Sequence, residues 1–227
     1  MSSRWIQKRR RDQFYKLAKD KGYRSRASFK LLQVNRSYRF IKRGGNVVDL
    51  GAAPGGWLQI AQEAVGESGF VLGVDKQEIK PFSGHNIVTI AGDIEDPTLP
   101  DLIMEKVPGR VDVVLSDVSP NLTGSWEIDH ARQMYLANQS LEIARRILRR
   151  GGTFFAKAFH GPDLQDFRSN LERSFQTIRI VKPPASRSDS SEIYFLGLNY
   201  MGEKHPPSSS EEQTVRLVSE EDTANRS

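Results

Sequence analysis

The sequence contains no cysteine among its 227 residues, which excludes a disulfide framework, thiolate metal sites, iron–sulfur clusters and a cysteine nucleophile. It has no apolar run near the ~20 residues that span a bilayer, and its first residues lack the apolar segment of a signal peptide. The four histidines are scattered without the spacing of metal ligands. We therefore expect a cytoplasmic protein of about one domain that binds neither a membrane nor a metal ion.

Positive charge is concentrated at one end of the chain. Residues 1–43 hold 15 Lys or Arg and two acidic residues, a net charge of +13, whereas residues 44–202 carry −5 and residues 203–227 carry −3. A solvated helix face would explain the basic segment, and so would a surface that binds the phosphates of nucleic acid. Composition thus predicts a basic helical extension at 1–43, a main domain at 44–202 and a flexible acidic tail at 203–227.

Short apolar strands alternate with amphipathic helices through the main domain. The predicted strands cover residues 46–50, 70–74, 86–90, 111–116, 153–158, 178–181 and 192–200. The longest predicted helix covers 128–150 and ends at Gly151 and Gly152. This alternation predicts an α/β fold of Rossmann-like type, with a mostly parallel seven-stranded sheet and helices on both faces. The last two strands lack a helix between them and should pair antiparallel at one edge.

A glycine-rich turn, residues 51–56, follows the first predicted strand and would point helix N–H groups at a ligand. Asp75 ends the second strand, where an acidic side chain accepts hydrogen bonds from ribose hydroxyls, and Asp93 ends the third. Ala53 and Pro54 stand where a dinucleotide enzyme has the glycine that admits a pyrophosphate. The turn therefore argues against an NAD-dependent dehydrogenase and fits S-adenosylmethionine, which has no pyrophosphate.

Three further polar residues are predicted to meet at the carboxyl edge of the sheet. Asp117 ends the fourth strand, Lys157 lies inside the apolar fifth strand, and Glu192 opens the last one. Each could be a simple ion-pair partner, but a lysine in a buried strand is unusual. Ligands bind at this edge in parallel sheets, so the three together predict a site.

At these residues the sequence resembles the FtsJ/RrmJ family of RNA ribose 2′-O-methyltransferases, over roughly residues 4–200. The matching segments are residues 23–31, 49–57, 92–93 and 116–121, Lys157, and residues 186–194. Two departures are visible: Ser28 stands where the bacterial proteins often have an aromatic residue, and the acidic tail is additional. Neither departure touches the residues that the family uses for chemistry.

The resemblance implies an S-adenosylmethionine-dependent methyltransferase fold with a Lys-Asp-Lys-Glu tetrad, which corresponds here to Lys30, Asp117, Lys157 and Glu192. It implies cofactor contacts at Gly51, Ala53, Pro54, Gly55, Gly56, Trp57, Asp75, Asp93 and Asp117. The implied reaction is methylation of the ribose 2′-hydroxyl of a uridine in large-subunit (23S) rRNA, for ribosome maturation. Large-subunit rRNA or the large subunit would be the partner, DNA would not, and the protein would be a monomer.

The role of Lys157 has two interpretations. It either accepts the proton of the 2′-hydroxyl as a neutral amine, which burial and the charge of Lys30 would favour, or only orients the oxygen. The substrate is also open: tRNA and an mRNA cap are alternatives within the family. A non-enzymatic RNA-binding assembly factor remains a third interpretation, although all four tetrad residues are present. A DNA or base methyltransferase is disfavoured, because residues 117–120 read Asp-Val-Ser-Pro.

Overall fold

A computed structural model describes residues 13–187 and 190–202; the predicted acidic tail and the cationic run at residues 8–11 lie outside these ranges. The helices are α1 (Gln13–Asp20), α2 (Ser28–Tyr38), α3 (Gly56–Val65), α4 (Leu99–Lys106), α5 (Trp126–Ile147) and α6 (Leu164–Glu172). The strands are β1 (Asn46–Leu50), β2 (Phe70–Asp75), β3 (Ile87–Ala91), β4 (Val111–Ser116), β5 (Leu148–Phe159), β6 (Phe175–Val181) and β7 (Glu192–Tyr200).

The seven strands form one sheet in the order β3-β2-β1-β4-β5-β7-β6. Strands β1 to β5 pair in parallel, and β7 pairs antiparallel with both β5 and β6. The predicted mostly parallel sheet and its antiparallel pairing at one side are confirmed. Strand β7 lies one position in from the edge. Because β7 runs antiparallel to β5, its first residue lies beside the last residue of β5.

Helices cover both faces of the sheet because its central strands are apolar on both sides, as is typical of parallel sheets. One core contains residues of α4, α5 and α6 packed on strand residues such as Leu50, Val74 and Phe154. The other core contains residues of α2 and α3 packed on the opposite strand residues, including Val47, Leu115 and Phe155. Within the described residues, no helix is long and apolar enough to cross a membrane.

Helix α2 belongs to the second core although its sequence lies in the basic segment. Leu31 and Val34 are buried against residues of α3, and Phe40 and Ile41 extend the same cluster. The helix approaches α3 closely because Gly56 has no side chain: a Cβ at that position would lie 2.7 Å from the Ser28 hydroxyl oxygen. The small Ser28 therefore suits this contact.

The junction between α5 and β5 differs from the sequence-based expectation. The prediction of a helix through residue 150, ended by Gly151 and Gly152, is wrong at its end: α5 stops at Ile147 and β5 begins at Leu148. Leu148 pairs with Val111 of β4, but the next pair is Val113 with residue 153, so β5 carries extra residues here. This irregularity uses a positive φ of 77° at Gly151. Buried apolar residues at 147 and 148 fit a helix and a strand equally well, which explains the error.

We expect Gly151→Ala to lower the free energy of unfolding by about 1–2 kcal/mol, because a left-handed backbone costs an L-residue about that much. Arg150→Ala is the matched control, since Arg150 is its exposed neighbour and should change stability by less than about 0.5 kcal/mol. Denaturant unfolding of both variants measures the difference. Equal effects at the two positions would contradict the requirement for glycine.

Candidate active site

A cleft of about 570 Å³ opens at the carboxyl edge of the sheet. Gly51, Asp75 and Asp117, which follow or end β1, β2 and β4, line one side, and Arg132 and Tyr135 of α5 line the other. These strands are neighbours in the sheet and run in the same direction, so their ends meet at one edge. Their central position and the polar groups that converge there make this cleft the ligand site expected for an open α/β sheet.

Backbone N–H groups hold Asp75 in place at the floor of the cleft. Its Oδ2 accepts a hydrogen bond of 2.8 Å from the N–H of Ala53, and its Oδ1 accepts one of 2.8 Å from the N–H of Gln77. Each carboxylate oxygen has a second lone pair. Asp75 can therefore accept hydrogen bonds from two adjacent hydroxyl groups of a ligand, as the sequence predicts.

Asp49 is a third carboxyl group under this cleft, and the sequence analysis gave it no role. It is fully buried in β1, and neither of its side-chain oxygens has a hydrogen-bond partner among the described residues. Burial raises the pKa of Asp49 well above its ordinary value, and the negative charges of Asp117 and Asp75 raise it further. An aspartate inside the apolar run of residues 46–50 was the available signal.

Asp93 lies just beyond β3, between Gly92 and Ile94, which both line the cleft. Its Oδ2 forms an ion pair of 2.7 Å with Lys76, and its Oδ1 accepts a hydrogen bond from the N–H of Glu95. The hydrogen bond from Lys76 is the main cause that lowers the pKa of Asp93. The side chain is thus ionised beside the cleft, and its predicted contact with a ligand remains a prediction.

Besides Asp93, four residues predicted to contact a cofactor are absent from the described lining of the cleft: Pro54, Gly55, Gly56 and Trp57. They contact the start of α2 and the segment before it. The indole N–H of Trp57 donates a 2.9 Å hydrogen bond to the carbonyl of Ala27, and Arg24 donates one of 3.3 Å to the carbonyl of Pro54. These residues therefore join the basic segment to the turn after β1, and their cofactor contacts stay predictions.

Lys157 forms a buried ion pair with Asp117. Its Nζ lies 3.2 Å from Asp117 Oδ1 and donates a 2.9 Å hydrogen bond to the backbone carbonyl of the same residue. The two side chains are 6% and 19% exposed. An ammonium group has three donors, so these contacts leave one position on Nζ that can face a ligand in the cleft.

Lys30 and Glu192 form a second ion pair, and Tyr194 joins it to the first. The Tyr194 hydroxyl lies 2.6 Å from Glu192 Oε1 and 3.0 Å from Asp117 Oδ1, and it accepts a 3.1 Å hydrogen bond from Lys30 Nζ. The structure therefore brings all four predicted tetrad residues into one hydrogen-bonded cluster, with the Tyr194 hydroxyl at its centre.

The register of the antiparallel pair β5–β7 explains this arrangement. Lys157 pairs directly with Tyr194, so their side chains lie on the same face of the sheet. Glu192 is two residues before Tyr194 and shares that face. Lys30 arrives from α2, which packs on the same side. Tyr194 was not predicted as a site residue, although its position two residues after Glu192 places both side chains on the same face of β7.

The charges of the cluster balance within it. Burial alone would raise the pKa of Asp117, but the positive charges of Lys157 and Lys30 and the hydrogen bonds from Lys157 and Tyr194 lower it on balance. Burial raises the pKa of Tyr194 well above its ordinary value, and the negative charges of Asp117 and Glu192 add to the effect. The site thus contains an ionised aspartate and a neutral tyrosine.

We expect Asp49→Asn to flatten the pH profile of stability. A carboxyl group with a raised pKa in the folded state stabilises the fold most below its unfolded pKa, near about 4. That contribution is lost as the pH rises through the folded pKa. The free energy of unfolding of the wild type should therefore fall as the pH rises from about 4 towards neutrality, and that of Asp49→Asn should fall less.

Denaturant unfolding across this pH range measures the profile. Asp166→Asn is the control, because the side chain of Asp166 is exposed. A profile of Asp49→Asn parallel to that of the wild type would contradict a protonated Asp49.

Comparison with known proteins agrees with this geometry. Residues 23–200 match the model of the FtsJ-like methyltransferases. The chain is 47% identical over 204 residues to the ribosomal RNA large subunit methyltransferase E of Methanocaldococcus jannaschii, covering 88% of this chain and 83% of that protein. It is 46% identical to the protein of the same name from Methanothermobacter thermautotrophicus, covering 90% and 97%. A crystal structure described as a ribosomal RNA methyltransferase of Plasmodium falciparum matches with a TM-score of 0.70 at 26% identity, covering 80% and 100%. The chain therefore belongs to the FtsJ-like methyltransferase family.

Proposed function

We propose that this protein transfers a methyl group from S-adenosylmethionine to the ribose 2′-hydroxyl of a uridine in large-subunit rRNA. The single observation that carries the proposal is Lys157, a buried lysine held by Asp117 at the edge of the ligand cleft with one position on Nζ unused. The printed names of the relatives from two archaea, both ribosomal RNA large subunit methyltransferases, support rRNA as the substrate.

The chemistry of the cleft fits S-adenosylmethionine. Asp75 offers two carboxylate oxygens to the ribose hydroxyls of the cofactor, and Gly51 and Ala53 line the cleft beside it. Asp75 and Asp117 line the cleft with carboxyl groups, which suit a ligand that carries a sulfonium and an ammonium charge. When bound, S-adenosylmethionine supplies a methyl group already activated by the sulfonium.

Lys157 would act on the 2′-hydroxyl of the substrate. The carbonyl and carboxylate of Asp117 fix the position of its Nζ. As an ammonium group, Nζ would use its third N–H to hold the hydroxyl oxygen in line; as a neutral amine, it would use its lone pair to take the hydroxyl proton. Glu192 and Tyr194 fix Lys30 at the other end of the cluster. Lys30 thereby presents a positive charge near the reacting ribose, where the RNA phosphates would lie.

The basic segment would dock the RNA backbone. Exposed cations of its described part are Lys16, Lys19, Lys21, Arg36, Arg39, Lys42 and Arg43. They flank α2, which carries Lys30 into the site. We therefore propose residues 1–43 as the RNA-docking extension and residues 44–202 as the catalytic domain. Methylation of tRNA or of an mRNA cap is the alternative for the same chemistry, and an assembly factor without activity is the alternative for the same binding.

The first test is transfer of radiolabelled methyl from S-adenosylmethionine to large-subunit rRNA, intact large subunits and tRNA. We expect Lys157→Met to lower the rate of methyl transfer at least about 10³-fold, because general acid–base catalysis contributes about 10²- to 10⁴-fold. The affinity for the cofactor should change little. Lys157→Arg separates the two roles of Lys157, because arginine can orient an oxygen but cannot accept a proton at neutral pH. Substantial activity of Lys157→Arg would establish orientation alone.

Thermal unfolding of both variants is the folding control, because removal of one partner of a buried ion pair is destabilising. A folded Lys157→Met that keeps near-normal transfer would overturn the assignment of Lys157. Label in tRNA alone would move the substrate and keep the chemistry. A wild-type protein that binds the cofactor and RNA but labels no RNA would favour the assembly factor.

Binding of RNA should weaken steeply with salt. If about six cations contact phosphates, raising the salt from about 50 to 200 mM should weaken binding about 10³-fold, because each contact releases counterions. Lys19→Gln should lower the slope of log affinity against log salt by about 1. Lys106→Gln, an exposed lysine at the end of α4, is the matched control and should leave the slope unchanged. An affinity independent of salt would exclude the basic segment as the docking surface.

A further inference from the structure

An exposed tryptophan stands at the rim of the proposed methyl-transfer site. Trp126 is the first residue of α5, and 48% of its surface is exposed. Its ring lies nearly parallel to that of Phe159, with centroids 6.3 Å apart and an interplanar angle of 14°. Phe159 is the last residue of β5, two residues beyond Lys157. At about 3.3 Å per strand residue, Phe159 lies about 7 Å along the strand from Lys157, so Trp126 packs beside the same end of β5 that carries Lys157.

A buried histidine supports the same indole. His130 is one turn along α5, and its ring lies 5.4 Å from that of Trp126. The His130 ring is 3% exposed, and its Nε2 lies 3.3 Å from a carboxylate oxygen of Asp163. A Cβ on Gly161 would lie 2.4 Å from the His130 ring, so the backbone encloses the ring closely. His130 therefore cannot move away from Trp126 without disturbing the chain after β5.

The loop that leads into Trp126 is also fixed. Asp129 Oδ1 accepts hydrogen bonds of 2.8 Å from both the N–H and the hydroxyl of Thr123, and its Oδ2 accepts one of 3.1 Å from the N–H of Gly124. These bonds tie residues 123–124 to the first turn of α5. Trp126 is consequently held before any ligand arrives, so a ligand that binds to it loses little affinity to ordering of the side chain.

We propose that Trp126 is the stacking platform for an unpaired nucleobase of the RNA substrate, within about three nucleotides of the methylated ribose. This inference rests on the proposed function and adds a substrate class: RNA whose bases beside the target are not in a duplex. An exposed, rigid aromatic ring next to a site that must accept ribose is the arrangement by which proteins bind single-stranded RNA. Stacking uses the face that every base has, so the platform holds the strand in position and selects unpaired structure over a particular sequence.

Two other exposed apolar residues lie close to Trp126 in the chain. Leu122 is 67% exposed and Ile128 47% exposed, and both flank Trp126 in the chain. The RNA strand must pass this rim of the cleft to deliver a ribose to Lys157. The position of Trp126 on the rim therefore favours a nucleobase over a protein partner as its ligand. A protein partner is the alternative outcome of the test.

The experiment measures coupling between Trp126 and single bases. The probe is a large-subunit rRNA fragment that the wild type methylates, with abasic nucleotides placed in turn at each of the three positions on either side of the methylated ribose. Trp126→Ala should weaken binding of the intact fragment about 5- to 150-fold, the range for loss of one stacked base. One abasic position should weaken wild-type binding similarly and leave Trp126→Ala unaffected.

Two variants control the interpretation. Trp126→Phe keeps an aromatic face and should bind within about fivefold of the wild type. Ile180→Ala removes an apolar side chain that is equally exposed, at 48%, on the far edge strand β6, and should bind as the wild type does. Cofactor affinity should be unchanged in all three variants, and thermal unfolding should show that each is folded at the assay temperature.

The outcomes separate this inference from the proposed function. Wild-type RNA methylation that Trp126→Ala leaves unchanged in both affinity and rate overturns the inference alone. The inference is also overturned if Trp126→Ala weakens the binding of every abasic fragment by the same factor. That result would point to a protein contact or a structural role of Trp126. Absence of methylation of any RNA by the wild type overturns the proposed function and this inference with it.

Discussion

Lys157 holds its ammonium group at the carboxyl end of β5 with 6% of its side chain exposed, and the compensation of that charge organises the site. A charge without a partner is too costly to bury, so Asp117 must follow β4 at the neighbouring position. The pair in turn needs a hydrogen-bond donor for the remaining lone pairs of Asp117, which the Tyr194 hydroxyl provides. Tyr194 then requires Glu192 and Lys30 to complete its own contacts. Each polar group is present because the preceding one is buried.

The same requirement explains why β7 runs against the other strands. A parallel strand at this place would bring its last residues to the carboxyl edge, whereas the reversed strand brings its first ones, next to the loop that contacts α2. Arg26 of the basic segment donates a hydrogen bond to the carbonyl of Ala185 in that loop, and Gln33 accepts one of 2.9 Å from its N–H. The basic segment, the loop before β7 and the end of β5 are thereby one connected unit around Lys157.

The sequence predicted the parts of this structure that depend on local pattern. The parallel sheet could be predicted from the apolar runs of β1, β2 and β4. The edge at which the cleft opens could be predicted from the polar residues at the ends of these strands. The boundary between α5 and β5 was not predictable, because Ile147 and Leu148 are apolar in either conformation and only pairing with Val111 decides between them. Glycines at 151 and 152, which usually end a helix, form an irregularity in the strand here.

Other features depend on contacts between distant residues, which no local pattern contains. The position of Tyr194 opposite Lys157 is set by register, and the pairing of Asp93 with Lys76 by the path of two loops. The raised pKa of Asp49 follows from complete burial and from the charges of Asp117 and Asp75. Motif resemblance singled out the four residues of the two ion pairs, but it contained no information on the tyrosine that connects the pairs.

The Tyr194 hydroxyl has one hydrogen atom and two carboxylate oxygens within reach, on Glu192 and Asp117. It can donate to only one of them at a time. Rotation of the hydroxyl about its C–O bond therefore moves the donated hydrogen bond from one ion pair to the other. The carboxylate that no longer accepts this hydrogen bond becomes the more basic of the two. The two ion pairs thus share one hydroxyl hydrogen atom, so a proton lost by Lys157 changes the hydrogen bonds around Lys30 without movement of any heavy atom.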